Sequence, residues 1–224
     1  MKIDIRSKQF GDTTVLGRIS LRMEAGEIVA LTGPSGIGKS TLARIVAGLD
    51  GKFDGRISRK GRVGFVFQEP TLLPWRTLKD NITIATGCDV KTALQALEQV
   101  ELGQRADVFP NQLSLGQQRR VALARALAVK PEVLILDEAF ASLDEATSAR
   151  MRDLVQRVLA IGDYSTILVT HNLKEAVAMA DRVLVLSGNP GEITLDHRLP
   201  GLGQRNLRAE TDNIRSFLNG LGFP

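Results

Sequence analysis

Residues 28–48, IVALTGPSGIGKSTLARIVAG, are the most informative stretch of this chain. Residues 28–31 form a continuous apolar run, which is typical of a buried parallel strand. Residues 33–40 match the pattern G-x-x-x-x-G-K-[ST], and a helical pattern follows over residues 39–47, with Gly48 at its end. A strand, a glycine-rich loop and a helix in this order are the context that a phosphate-binding loop requires.

The residue types in this loop suit a nucleoside triphosphate. Glycines have no Cβ, so the backbone can approach phosphate closely and direct its N–H groups inward, where the helix N-terminus adds a positive dipole. Lys39 supplies a cation for the β- and γ-phosphates, and Ser40 offers a hydroxyl to Mg²⁺. The predicted ATP-binding residues of the loop are Gly33, Pro34, Ser35, Gly36, Ile37, Gly38, Lys39, Ser40 and Thr41.

Two acids follow a second apolar strand. Residues 133–136 read VLIL, and Asp137 and Glu138 come directly after them. This places both acids at the carboxyl end of the sheet, where open α/β folds bind their ligands. We expect Asp137 to hold Mg²⁺ and Glu138 to orient and polarise the attacking water.

Composition and charge exclude several classes of protein. The 224 residues are 43% hydrophobic and 24% charged, as in an ordinary globular protein. A single cysteine, Cys88, excludes an intramolecular disulfide and a cysteine-rich metal site. The net charge of +4 is spread along the chain, so we expect no nucleic-acid partner. The N-terminus has no apolar core of a signal peptide, and no run reaches the roughly 18 apolar residues of a membrane span.

The remaining pattern predicts an α/β fold of the P-loop NTPase class, with a mostly parallel sheet flanked by helices. Residues 1–32 favour strands, which we assign to an N-terminal antiparallel β subdomain. Residues from about 70 to 130 show helical patterns and no strand, so they form a helical insertion. We expect one domain over 1–224, with its core in 1–68 and 131–224. Later strands are expected at 166–170 and 182–186, and helices at 91–102, 116–129, 146–159, 173–180 and 205–219.

Further motifs identify a family. Residues 113–120, LSLGQQRR, resemble the LSGGQ signature of ABC-transporter ATPases, and Ser114 lies 23 residues before Asp137. This segment carries Leu115 where the family commonly has glycine. The resemblance extends over nearly the whole chain. Its other matches are Gln68 for the Q-loop glutamine, residues 141–144 for the D-loop with Asp144, His171 for the switch histidine, and Phe10 for the aromatic residue that stacks on adenine.

The resemblance implies a head-to-tail homodimer that encloses two ATP molecules. The signature residues would contact the nucleotide held by the partner, and catalysis would involve Glu138, His171 and Gln68. Asp144 is also suited to cap the following helix, and the two roles are compatible. The expected signature contacts are Ser114, Leu115, Gly116 and Gln117, and the expected Mg²⁺ ligands are Ser40, Gln68 and Asp137.

Residues 69–82, EPTLLPWRTLKDNI, are similar to the same segment in ATPases of the nitrate, sulfonate and taurine importers, as are residues 186–193. This implies import of a small solute through an integral membrane permease, which the ATPase contacts near residues 68–81. An extracytoplasmic solute-binding protein and a peripheral location on the cytoplasmic face of the membrane are also implied. Three alternatives stay open: an ABC ATPase for another solute, imported or exported, a non-transport ABC ATPase, and a nucleotide-binding module without turnover.

Overall fold

A computed structural model gives the fold and describes residues 1–220. The strands are β1 (Lys2–Phe10), β2 (Thr13–Leu16), β3 (Ile19–Arg22), β4 (Ile28–Thr32), β5 (Asp54–Ser58), β6 (Val63–Val66), β7 (Val133–Asp137), β8 (Ser165–Val169), β9 (Arg182–Ser187) and β10 (Glu192–Arg198). The helices are α1 (Lys39–Ala47), α2 (Leu78–Thr86), α3 (Val90–Gln99), α4 (Leu115–Ala128), α5 (Glu145–Ile161), α6 (Leu173–Met179) and α7 (Leu207–Gly220). Short 3₁₀ turns lie at Gly103–Arg105, Pro110–Gln112 and Leu202–Gln204.

The chain divides into two compact units. The first contains Met1–Lys60 together with the chain from Ser165 onward, and the second contains Gly61–Tyr164. The second unit therefore includes β6, β7 and α5 in addition to the helical stretch. The subdivision expected from the sequence, with its helical part at about 70–130, stays a prediction. No helix within residues 1–220 combines the length and apolarity needed to cross a bilayer.

An antiparallel sheet occupies the N-terminal part of the first unit. β1 pairs with β2, β3 and β5, each time antiparallel. Alternate residues of β1 are buried, including Ile3 and Ile5, which lie opposite Leu21 and Ile19 of β3. This period of two matches a sheet with one face in the core. The predicted N-terminal antiparallel subdomain is confirmed.

A second sheet in this unit positions the phosphate loop. Its strands follow the order β10, β9, β4, β8, and β4 runs parallel to both β8 and β9, while β10 is antiparallel. β4 is hydrogen-bonded to a strand on each side, and its Val29 and Leu31 side chains are buried, as expected for a central parallel strand whose two faces are covered. α1 follows the loop and ends at Gly48, whose φ of 79° is the left-handed cap that glycine favours. The predicted strand 28–31 and helix 39–47 are confirmed.

The second unit combines a parallel strand pair with helices. β6 and β7 pair in parallel, with Val63 opposite Val133 and Val66 opposite Leu136. α4 packs against β6 so closely that a Cβ on Gly64 would lie 2.5 Å from the carbonyl oxygen of Ala126.

The sequence patterns did not predict α2. Its nine residues, LKDNITIAT, carry a weak apolar pattern, and the helix depends on its ends. The Thr77 side chain caps the first turn by accepting from the Asp80 N–H at 3.3 Å, and Gly87 ends the helix with φ 69°. β5 was also missed, because its sequence, DGRIS, is short and polar and is exposed along most of its length.

Candidate functional site

The phosphate loop, residues 33–40, has the predicted conformation. Gly33, Gly36 and Gly38 all have positive φ, at 141°, 79° and 106°. Lys39 is only 6% exposed, and its Nζ donates to the carbonyl oxygens of Gly33 at 2.9 Å and Pro34 at 2.8 Å. The ammonium group is therefore held against the loop itself, where a bound polyphosphate would require a cation.

Two of these glycines are also required by packing. A Cβ on Gly33 would lie 2.1 Å from the carbonyl oxygen of Leu186 in β9, and one on Gly38 would lie 2.5 Å from Cδ2 of Leu16. A side chain at either position would push the loop away from the strands that support it. The loop geometry therefore depends on glycine for both conformation and space.

The phosphate loop and His171 line one cavity of about 620 Å³. Arg215 of α7 lines it too, so the C-terminal helix adds a cation to this space. The sequence motifs assigned no role to Arg215. The lining residues are Thr32, Gly33, Pro34, Ser35, His171, Asn172, Leu173, Arg215 and Leu218.

A side-chain network holds the turn that carries His171. The buried Thr170 hydroxyl donates to the Glu175 carboxylate at 2.7 Å and accepts from the Asn172 N–H at 3.0 Å. The Asn172 amide donates to the same carboxylate at 3.3 Å, and its oxygen caps α6 by accepting from the Lys174 N–H. The backbone on both sides of His171 is fixed by these bonds, while the histidine itself is exposed.

Phe10 ends β1 and is 53% exposed. The Nζ of Lys8 lies 4.3 Å from its ring centroid, a cation–π distance. Lys8 is 2% exposed and also donates to Asp50 Oδ1 and the Lys52 carbonyl, each at 2.8 Å. Phe10 thus offers an aromatic surface to solvent from a strand end that a partly buried ion pair stabilises.

In the second unit, β7 ends at Asp137, and Glu138 follows it directly. Asp137 is 3% exposed. Glu138 is half-buried and has φ 51°, a left-handed conformation that is unfavourable for a residue with a Cβ. The Ala141 N–H donates to the Glu138 carbonyl at 3.1 Å, which closes a tight turn after the strand.

The signature segment begins α4, and the D-loop begins α5. Ser114 and Gln117 form a capping box: Ser114 Oγ accepts from the Gln117 N–H at 3.3 Å, and Gln117 Oε1 accepts from the Ser114 N–H at 3.1 Å. A Cβ on Gly116 would lie 2.6 Å from Cγ2 of Thr147, so the first turns of α4 and α5 pack closely. Asp144 caps α5 by accepting from the Thr147 N–H at 2.9 Å. The hydrogen bond to Thr147 lowers the pKa of Asp144.

Gln68 is exposed and borders a second cavity, of about 550 Å³, in the second unit. Leu115 and Arg119 of α4 and Ser142 of the D-loop also line this cavity. The structure therefore brings the Q-loop, the signature helix and the D-loop together. The predicted magnesium ligands are a hydroxyl, an amide and one carboxylate. Oxygen donors of these kinds suit Mg²⁺, which also keeps phosphate and water ligands. The described residues contain no group of three or more His, Cys, Asp and Glu that could hold a metal ion.

Comparison with known proteins decides the family. Residues 16–141, more than half of the chain, match the family model described as ABC transporter. The chain is 46% identical over 221 residues to the aliphatic sulfonates import ATP-binding protein SsuB 1 of Pseudomonas syringae pv. syringae, an alignment that covers 97% of this chain and 92% of the relative. The chain belongs to the ABC transporter family. The SsuB protein of Granulibacter bethesdensis is a further relative of this ABC ATPase, 47% identical over 182 residues, with 80% of the chain and 76% of the relative covered.

A solved structure agrees with this assignment. The ABC ATPase resembles the dimeric, post-hydrolysis state of the ATP-binding cassette MJ0796 bound to ADP and Pi, with a TM-score of 0.76 and 30% identity over 89% of this chain and 99% of that one. The expected family, the P-loop NTPase fold and the ATP-hydrolysing class are confirmed. The roles of individual residues stay predictions.

Arg119 is a further residue in this part of the ABC ATPase that the sequence patterns did not indicate. It is 4% exposed, and its Nη1 donates to the carbonyl oxygens of Glu138 at 3.0 Å and Ala139 at 2.7 Å. The sequence shows only two adjacent arginines in a helix, of which Arg120 instead pairs with Glu101 at 2.5 Å. Nothing in that pattern distinguishes the buried arginine from its partly exposed neighbour.

Proposed function

We propose that the chain is the ATP-hydrolysing subunit of an importer for a small sulfonate or a related anion, acting on a separate integral membrane permease. The phosphate loop carries this proposal. Lys39 is held inside the loop, and the loop lines the same cavity as His171. Relatives at 42–47% identity that are named aliphatic sulfonates import ATP-binding proteins support the choice of solute.

The nucleotide site would assign a distinct role to each group. Phe10 would stack on adenine, the loop amides and Lys39 would bind the β- and γ-phosphates, and His171 would contact the γ-phosphate. Glu138 would hold the attacking water in line with the γ-phosphorus and polarise it. Mg²⁺ would neutralise phosphate charge, held by Ser40, Gln68 and Asp137.

We infer a homodimer from a second anion site at the start of α4. Ser114 and the first N–H groups of the helix present a positive dipole end, and Ser114 and Leu115 are exposed there. In the dimer, this end would contact the γ-phosphate bound to the partner, and Asp144 would lie near the same interface. The similar cassette MJ0796 is described as a dimer in two solved structures, which supports the arrangement.

The permease would contact the segment 68–81. Trp75 within it is 67% exposed, and a large exposed aromatic side chain is typical of protein interfaces. We further propose that the subunit acts at the cytoplasmic face of the membrane as a peripheral protein, and that an extracytoplasmic solute-binding protein delivers the solute.

Replacing Lys39 with alanine tests the nucleotide site. The variant should lose ATP binding and about 100-fold or more of kcat/KM, because the cation at the β- and γ-phosphates is removed. Fluorescent-nucleotide titration and phosphate release measure the two effects, with Lys91→Ala on the exposed surface of α3 as control. Unchanged hydrolysis by Lys39→Ala would contradict the site.

Reconstitution of the subunit in lipid vesicles with its co-purifying permease tests the transport function. ATP-dependent uptake of a labelled alkanesulfonate should require the intact Lys39. Uptake of a different class of solute, with no sulfonate uptake, would reject the solute while leaving the ATPase assignment intact.

A further inference from the structure

Arg119 is a buried cation whose hydrogen bonds end on backbone rather than on a carboxylate. Its Nη1 makes two bonds, both to backbone carbonyl oxygens of residues 138 and 139. Its Nε is buried and has no hydrogen-bond partner among the described residues. Burial lowers the pKa of the guanidinium, while the negative charge of Glu138 acts in the opposite direction.

If packing alone determined the residue at position 119 of α4, an apolar residue would be favoured there. Ala122 and Leu123, one turn further along the same face, are fully buried. An aliphatic side chain at position 119 would avoid the desolvation of a charged group, which usually makes a buried ion no more stabilising than a well-packed apolar residue. The arginine therefore needs an explanation other than stability.

Its two bonds fix the turn that carries Glu138. The φ of 51° at Glu138 is less stable than a common backbone conformation, so surrounding contacts have to maintain it. The carbonyl groups of Glu138 and Ala139 are those of the two peptide units that follow the strained residue. Because one nitrogen bonds to both groups, neither can rotate freely, and this restricts where the Glu138 side chain can lie.

We propose that Arg119 is a positioning residue for ATP hydrolysis, which holds the backbone of Glu138 so that its carboxylate meets the attacking water in the correct geometry. The inference rests on the proposed function, in which Glu138 is the base. It also gives α4 a second role, because the helix that begins after the signature residue Ser114 is tied, five residues later, to the catalytic turn of the same subunit.

The test compares Arg119→Met with Arg119→Lys. Methionine fills a similar length without charge or donors. The gain from no longer burying a charge opposes the loss of the two hydrogen bonds to carbonyl oxygens, so the variant should fold with a stability close to that of the wild type. We expect kcat for ATP to fall about 10- to 100-fold, as a displacement of about 1 Å in a catalytic group would produce, while the KM for ATP stays within about twofold. Arg119→Lys keeps a charged donor and should have an intermediate kcat.

A double-mutant cycle with Glu138→Gln separates positioning from a general structural effect. If Arg119 acts through the Glu138 carboxylate, Arg119→Met should cause no further loss of residual hydrolysis in the Glu138→Gln background. Arg59→Leu is the matched control, since Arg59 also donates to two carbonyl oxygens, those of Val46 and Ala47. This control should lose stability and keep its kcat.

Each result has a defined meaning. Four results would each overturn the positioning role. Arg119→Met could fail to fold, or it could keep the wild-type kcat. Arg119→Lys could have a kcat no better than that of Arg119→Met, or the losses caused by Arg119→Met and Glu138→Gln could multiply in the double variant. If Glu138→Gln itself hydrolyses ATP at the wild-type rate, the proposed base fails, and this result is independent of the stability and kcat measured for Arg119→Met alone.

Discussion

Among individual residues, buried charges in this protein support more exposed functional groups. Lys8 is almost fully buried, yet its ammonium contacts both Asp50 and the exposed ring of Phe10. Arg119 does the same for the turn at Glu138. In both cases the group proposed to touch ATP or water is held by a cation that is itself removed from solvent.

The Lys8–Asp50 pair predicts an acid-sensitive contribution to stability. The hydrogen bond from Lys8 lowers the pKa of Asp50 in the folded state. The stabilisation is therefore complete above the ordinary carboxyl pKa of about 4 and is lost as the pH falls through the lower, folded pKa. Asp50→Asn should cost about 1 kcal/mol of unfolding free energy at pH 6 and less at pH 3.

Urea denaturation at both pH values measures this difference. Asp12→Asn, in the exposed turn after β1, serves as control and should show a small effect that is equal at the two values. A cost for Asp50→Asn that is the same at pH 6 and pH 3 would contradict the assigned ion pair.

At the level of whole elements, α2 anchors the loop that precedes it, residues 73–77. Asn81 is 2% exposed, and its side chain bonds almost entirely with that loop. Its Oδ1 accepts from the Leu73 N–H at 2.6 Å, and its Nδ2 donates to the carbonyl oxygens of Leu73 at 3.1 Å, Arg76 at 3.1 Å and Thr77 at 3.0 Å. Trp75 lies between these anchors, so the loop is rigid where the exposed aromatic residue is presented.

Asn81→Ala should release this loop. Several buried backbone groups would lose their partner, so we expect a loss of about 2–4 kcal/mol of unfolding free energy. Trypsin should cleave after Arg76 faster than in the wild type under native conditions. Thr83→Ala on the same helix removes only a 3.3 Å bond to the Asp80 carbonyl and should leave the cleavage rate unchanged. Equal cleavage in both variants would show that Asn81 does not hold the loop.

For the molecule as a whole, the site in one chain is predicted to be incomplete without its partner. The phosphate loop and His171 belong to the first unit, and the signature residues belong to the second. The proposed dimer uses the phosphate loop of one copy and the α4 end of the other, so that nucleotide binding and dimer formation become the same event.

Glu138→Gln should therefore form a stable dimer in the presence of ATP, because the nucleotide binds and is not hydrolysed. Light scattering after gel filtration should report twice the monomer mass with ATP and the monomer without it. Adding Ser114→Arg should abolish the dimer, since a bulky side chain blocks the contact at the start of α4. Dimer formation that persists in this double variant would remove the signature residues from the interface.

The amino-acid sequence was enough to predict the phosphate loop, the strand and helix around it, and the two acids after β7. These features rest on apolar runs, glycines and charged residues that lie next to each other in the chain, so local physics specifies them. The three-dimensional fold was needed to show that Arg119 is buried against Glu138 while Arg120 pairs with Glu101, and that Asn81 holds the loop before α2. The hydrogen bonds of Arg119 and Asn81 end on backbone groups. Because every residue has these groups, no pattern of side chains in the sequence predicts such bonds.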